Sequence, residues 1–127
     1  MSILPDDVRR KIPGIGSDLE APLREMSIYA RLYDPSSHWQ WFILEMDGDD
    51  ACFGIVLSRS AAVAGRFTLT ELLSLSGPGG EAAVVFDAAY AGQTVGRLAE
   101  AEPAVAELLA VPSPREKRSA EELIDLE

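Results

Sequence analysis

The sequence predicts an α+β fold: an antiparallel meander sheet of four to five strands, helices packed on one face, and further helices at the C-terminus. Three observations lead there. Residues 25–34 alternate strictly, with Met26, Ile28, Ala30 and Leu32 on one side and Ser27, Tyr29, Arg31 and Tyr33 on the other. Three strand-like segments succeed one another across short links, which is the pattern of an antiparallel meander. Residues 93–110 then change to a helical period, with Val95, Leu98, Val105, Leu108 and Leu109 forming an apolar stripe.

In chain order, Pro5 to Ile12 reads as a short helix with acids at its start and bases at its end, as the helix dipole favours. Pro13-Gly14-Ile15-Gly16 stops it, and residues 17–24 read as a loop. The alternating segment ends in the turn Asp34-Pro35-Ser36-Ser37. His38 to Asp47 is a second strand, rich in aromatics and covered on both faces. Asp47-Gly48-Asp49-Asp50 turns the chain into a third strand, Cys52 to Leu57. Residues 60–64 read as a connection and 65–69 as a short fourth strand. Thr70 is then expected to cap a helical turn from Glu71 to Leu75, ended by Gly77-Pro78-Gly79-Gly80. A last short strand spans residues 82–86.

In the C-terminal helical stretch, Pro103 must kink or divide the helix. Beyond the breaker Pro112-Ser113-Pro114 lie Arg115, Lys117 and Arg118, then a tail in which Ser119 and Glu122 make a capping box. The organisation expected is one domain over residues 1–111, with 112–127 as a basic linker and short terminal helix.

At 127 residues the chain is long enough for a single core, and 47% hydrophobic content excludes general disorder. The aromatics concentrate between Tyr29 and Phe67, which centres the core there. Eleven basic residues against 21 acidic ones give a net charge of −10. Phosphate backbones repel such a surface, so the expectation is no direct nucleic-acid partner. One cysteine, Cys52, allows no internal disulfide. With no signal-like start and no apolar run near the ~18 residues of a membrane span, a cytoplasmic location off the membrane is expected.

The meander carries a family resemblance. Ile3-Leu4-Pro5, Ile28-Tyr29-Ala30-Arg31-Leu32-Tyr33, Trp39-Gln40-Trp41 with Glu45-Met46-Asp47, Cys52 to Val56, and Gly65 to Leu72 resemble successive blocks of a bacterial family catalogued as domain of unknown function 2958. The resemblance covers roughly residues 3–87. The chain departs from the family pattern at Gly65-Arg66-Phe67, where a Gly-Tyr-Phe-like run is usual, and at Glu81-Ala82-Ala83. The resemblance implies a compact α+β fold and a setting on plasmids and other mobile elements. It implies no activity.

Catalytic and metal motifs are weak. His38 is the single histidine, and no motif ties it to Cys52 or to a serine as nucleophile. The Asp47-Gly48-Asp49-Asp50 run fails as a calcium loop because position 58 is Ser58 rather than a bidentate glutamate. The glycines at 77–80 lack the lysine and hydroxyl of a phosphate loop. One cysteine and one histidine make no structural zinc site. Neither cofactor nor metal is expected.

Binding features are better defined. Trp39 and Trp41 share a strand face with Ile43. Burial beneath helices is the commoner fate of such a pair, and an exposed aromatic platform is the functional alternative. Asp34, Glu45, Asp47, Asp49 and Asp50 cluster around the two turns of the meander, and Glu100 and Glu102 line the later helix. Carboxylates spread over an elongated face can stand in for phosphates, although most acidic surfaces only solubilise. Leu123 and Ile124 lie on one face of the terminal segment, which is too short to be a stable helix alone and must dock in cis or in trans.

Three functions are compatible with these features. The preferred one is a non-enzymatic protein-binding module whose acidic face inhibits a basic DNA-binding or host-defence complex. The second is an enzyme using Glu45 and Glu71 with His38. The third is a homodimer joined through Trp39, Trp41 and the terminal helix.

Overall fold

A computed structural model of the chain describes residues 4–17, 21–59, 61–75, 84–90 and 92–110. The fold is α+β. A five-stranded antiparallel sheet has the order β5-β4-β3-β2-β6, from β2 (Ala30–Tyr33), β3 (Gln40–Asp47), β4 (Ala51–Leu57), β5 (Ala62–Thr68) and β6 (Val85–Phe86). A separate two-stranded ribbon pairs β1 (Ser27–Ile28) with β7 (Gln93–Thr94). Among the described residues four α-helices accompany them: α1 (Asp6–Arg9), α2 (Leu69–Leu73), α3 (Val95–Ala101) and α4 (Pro103–Leu109).

The sheet separates two apolar cores. On one face, Ala30, Leu32, Trp41, Ile43, Met46, Cys52 and Phe67 pack with Leu4, Ile12, Leu69 and Leu72. On the other, Phe42, Leu44, Phe53, Ile55 and Leu57 pack beneath Val95, Leu98 and Val105. The C-terminal helices thus cover one face, and the shorter α1 and α2 serve the other. Burying each such Leu, Ile or Phe side chain contributes about 1.5–3 kcal/mol before conformational entropy is counted.

Two corrections concern strands. The alternating segment does not form one strand: Ile28 joins the α3–α4 core and Ala30 the α1–α2 core. The chain changes sheets at Tyr29, whose N–H still donates to Ile43 O at 2.9 Å. Alternation records which residues are buried and is silent on which core receives them. The fourth strand begins at Ala62, within the expected connection, because Ser58 N–H donates to Ala61 O at 2.8 Å and closes a tight hairpin.

Helix boundaries shift likewise. Thr68, and not Thr70, caps α2, with its side chain accepting from Glu71 N–H. α3 and α4 divide at Pro103 as expected, with Thr94 capping α3. The expected glycine stop at 77–80, the start of the last strand at 82–83 and the segment 112–127 with Leu123 and Ile124 lie outside the described residues.

The central strand contains one irregularity. Ile43 pairs with Gly54 and Glu45 pairs with Phe53, so Leu44 is an extra residue in a β-bulge. The bulge puts Leu44 and Glu45 on the same side and returns Met46 to the opposite core. Beside the bulge the β3 backbone lies close to β4. A Cβ placed on Gly54 would stand 1.8 Å from Phe42 O, so that position admits only glycine.

Candidate functional site

The candidate surface lies at the β2–β3 end of the sheet. Direct register partners form an apolar row across all five strands: Phe86, Leu32, Trp41, Val56 and Val63. Cover thins along that row. Leu32 is 0% exposed and Trp41 6%, Val56 is half-buried, and Val63 on the outer strand is 58% exposed. Trp39, 44% exposed, stacks on Trp41 with ring centroids 6.2 Å apart. The two tryptophans therefore divide the roles weighed from sequence: Trp41 is core, and Trp39 is an exposed ring held against it.

The turn behind Trp39 is fixed by its own hydrogen bonds. Asp34 Oδ1 accepts from Ser36 N–H at 2.9 Å and from Ser36 Oγ at 2.8 Å. These bonds hold the Asp34 carboxyl below the usual carboxylate range. Asp34 N–H donates to Trp39 O at 2.9 Å, and His38 N–H to Asp34 O at 3.0 Å. His38 closes the turn with φ of 67°, in the left-handed region. Asp34 and Trp39 thus lie at the two ends of one hydrogen-bonded turn.

The remaining acidic positions are dispersed. Eight-residue β3 separates Asp34 from the Asp47–Asp50 turn, a span of roughly 26 Å at the usual strand rise, so the two turns form no joint cluster. In the second turn the acids also make contacts within the fold, although Asp47 and Asp49 stay exposed. Asp47 Oδ1 accepts from Ile15 N–H at 2.9 Å, Asp49 lies 3.7 Å from Arg9 Nε, and Asp50 Oδ1 accepts from Thr70 N–H at 2.7 Å. Arg9 also donates to Gly48 O. Glu45 is 1% exposed and accepts from Gly16 N–H at 3.3 Å, so it presents no charge to a partner. Glu100 is exposed on α3, and Glu102 stands at the start of α4.

The residues named for an enzyme are not assembled. Glu45 lies at the bulge beside the α3–α4 core, Glu71 is exposed on α2 against the opposite core, and His38 sits at the far end of β3. Cys52 is fully buried, and burial first, then Asp50, pushes its thiol up to about 12. Among the described residues, no group of three or more His, Cys, Asp or Glu residues is placed to hold a metal ion, and no helix is long and apolar enough to cross a membrane.

Sequence reasoning missed two contributors. Val63 falls in a segment that reads as a connection, so its outward position on an outer strand was not visible. Asp87 bonds Arg31 across 56 residues, with Nη1–Oδ2 at 2.8 Å, while Arg31 Nε donates to Gln40 Oε1 at 2.8 Å. That contact fastens β6 to β2, and no local spacing announces it.

No family model, curated protein or solved structure matches the chain. Its function must be read from its own residues.

Proposed function

We propose that this protein is a non-enzymatic binding module that docks a basic protein surface at the Trp39 end of its sheet. The apolar row that leaves the core and emerges at Val63, with Trp39 stacked beside it, carries the reading. A large ring pre-ordered by a buried neighbour loses little conformational entropy on binding and is the kind of residue that anchors an interface. Asp34 next to it and the net charge of −10 supply the preference for a cationic partner and for fast, salt-sensitive association.

A protein that itself holds nucleic acid has such a surface, so inhibition of a DNA-handling complex is the biological outcome this chemistry fits. Of the carboxylates named from sequence, Asp49 and Glu100 are the most open to a partner, Asp34 is half-exposed and bonded to Ser36, and Glu45 and Asp50 are engaged in the fold.

The test is comparative affinity capture from bacterial lysate with the wild-type chain and Trp39→Ser, eluted over a salt gradient. A basic protein retained by the wild type, released by moderate salt and lost with Trp39→Ser is the expected result. Equal capture by both chains would remove Trp39 from the interface, and salt-independent capture would remove the electrostatic part.

A further inference from the structure

We infer that the cleft between α1 and the β1–β7 ribbon is a binding site for a small organic acid, a carboxylate on an apolar or aromatic body. The cleft measures about 580 Å³, within the size range of small-ligand sites. It is separate from the Trp39 surface, and its chemistry differs from that of the rest of the chain. Although 21 of the 127 residues are acidic, no aspartate or glutamate is among the described residues that line it.

The groups that do line it are donors. Lys11 contributes an ammonium that has no ion pair or hydrogen bond with any described residue, and the Ser27 hydroxyl likewise has no partner there. Thr94 Oγ1 accepts from Arg97 N–H at 3.2 Å, which leaves its own hydrogen to donate. Tyr90 is held by its ring contact with Phe42, centroids 6.1 Å apart, and by Gln93 Nε2 at 2.9 Å from its hydroxyl oxygen. Whichever way the Gln93 amide lies, their mutual bond leaves the pair two further O–H or N–H hydrogens to donate.

One cation and several donors, with no carboxylate among the described lining residues and with Asp87, the acid near Tyr90, paired to Arg31, select an anion. Val8 and the Tyr29 ring supply the apolar wall that selects an organic body over a bare inorganic ion. The net negative charge of the chain opposes anion binding at long range, so affinity must come from these short contacts and from burial of the ligand body.

The experiment is an amide NMR titration of the full chain with benzoate, hexanoate, benzamide and inorganic phosphate, repeated on Lys11→Gln and Tyr90→Phe. Saturable shifts at Ser27, Gln93 and Thr94 are expected with benzoate or hexanoate. Binding of benzamide should be about tenfold weaker, the scale of one charge-assisted hydrogen bond, and Lys11→Gln should weaken benzoate by a similar factor while leaving benzamide unchanged. Lys11 is exposed and Tyr90→Phe keeps the ring, so both variants retain the fold. Absence of shifts with both carboxylates, equal binding of benzamide, or equal binding of inorganic phosphate would each overturn the assignment.

Discussion

Asp50 Oδ1 accepts two hydrogen bonds from Thr70, from the backbone N–H at 2.7 Å and from the hydroxyl at 2.8 Å. The backbone of Asp50 adds a third link, its carbonyl accepting from Leu69 N–H at 3.0 Å. With Thr68 Oγ1 accepting from Glu71 N–H at 3.1 Å, the first three amides of α2 are all satisfied. An acidic turn twenty residues upstream therefore caps this helix.

Replacing Asp50 by Ala should cost about 1–2 kcal/mol, the usual cost of losing a helix cap. Thr70→Val, which removes only the hydroxyl bond, should cost about 0.5–1 kcal/mol. In urea denaturation the double variant should be less destabilised than the sum of the two, since both remove the same bond. Strict additivity would show that the pair is not coupled.

Gly54 and Gly65 are register partners and should respond oppositely to the same change. At Gly54 a methyl group would collide with Phe42 O, and Gly54→Ala should lose about 3 kcal/mol or fail to fold. At Gly65 a Cβ meets nothing within 4 Å, and Gly65→Ala should gain about 0.5 kcal/mol by stiffening the strand. Similar midpoints for the two variants would contradict the close strand approach at the bulge.

His38 holds φ of 67° with no share in either core. His38→Gly should raise stability by about 0.5–1 kcal/mol, because glycine adopts this conformation without steric cost. His38→Ala should give no such gain. A loss of stability with glycine would assign the imidazole a contact of its own.

Cys52 should resist iodoacetamide in the native state at mildly alkaline pH, since its thiol is held at about 12 and is fully buried. The sign follows from the neutral form being the buried one. Its contribution to stability is complete below the ordinary thiol range and is lost as pH rises towards the raised value. Labelling should therefore track unfolding in denaturant, and rapid native labelling would contradict the burial.

Much of the sheet was legible because burial of one strand side writes itself as alternation, and turn residues mark the hairpins. The split at Tyr29 was not, since Ile28 and Ala30 look equivalent until β7 arrives from more than sixty residues away to claim the first. For the site, Trp39 and Trp41 could be paired by spacing alone, but only the cover over each ring decides which is core. The acids of the second turn were identified as an interaction surface because charge is visible in sequence, whereas the partners Ile15, Arg9 and Thr70 are supplied by folding.

The bulge at Leu44 also determines how β3 tolerates a change of length. Losing either Leu44 or Glu45 would restore simple two-residue periodicity and leave Trp41, Phe42, Ile43 and Met46 each facing its present core. A one-residue loss at Phe42 or Ile43 that left the bulge in place would instead throw the residues on one side of the gap out of phase with both cores. The strand has one place where its reading frame is slack, and that place lies opposite the glycine that cannot be enlarged.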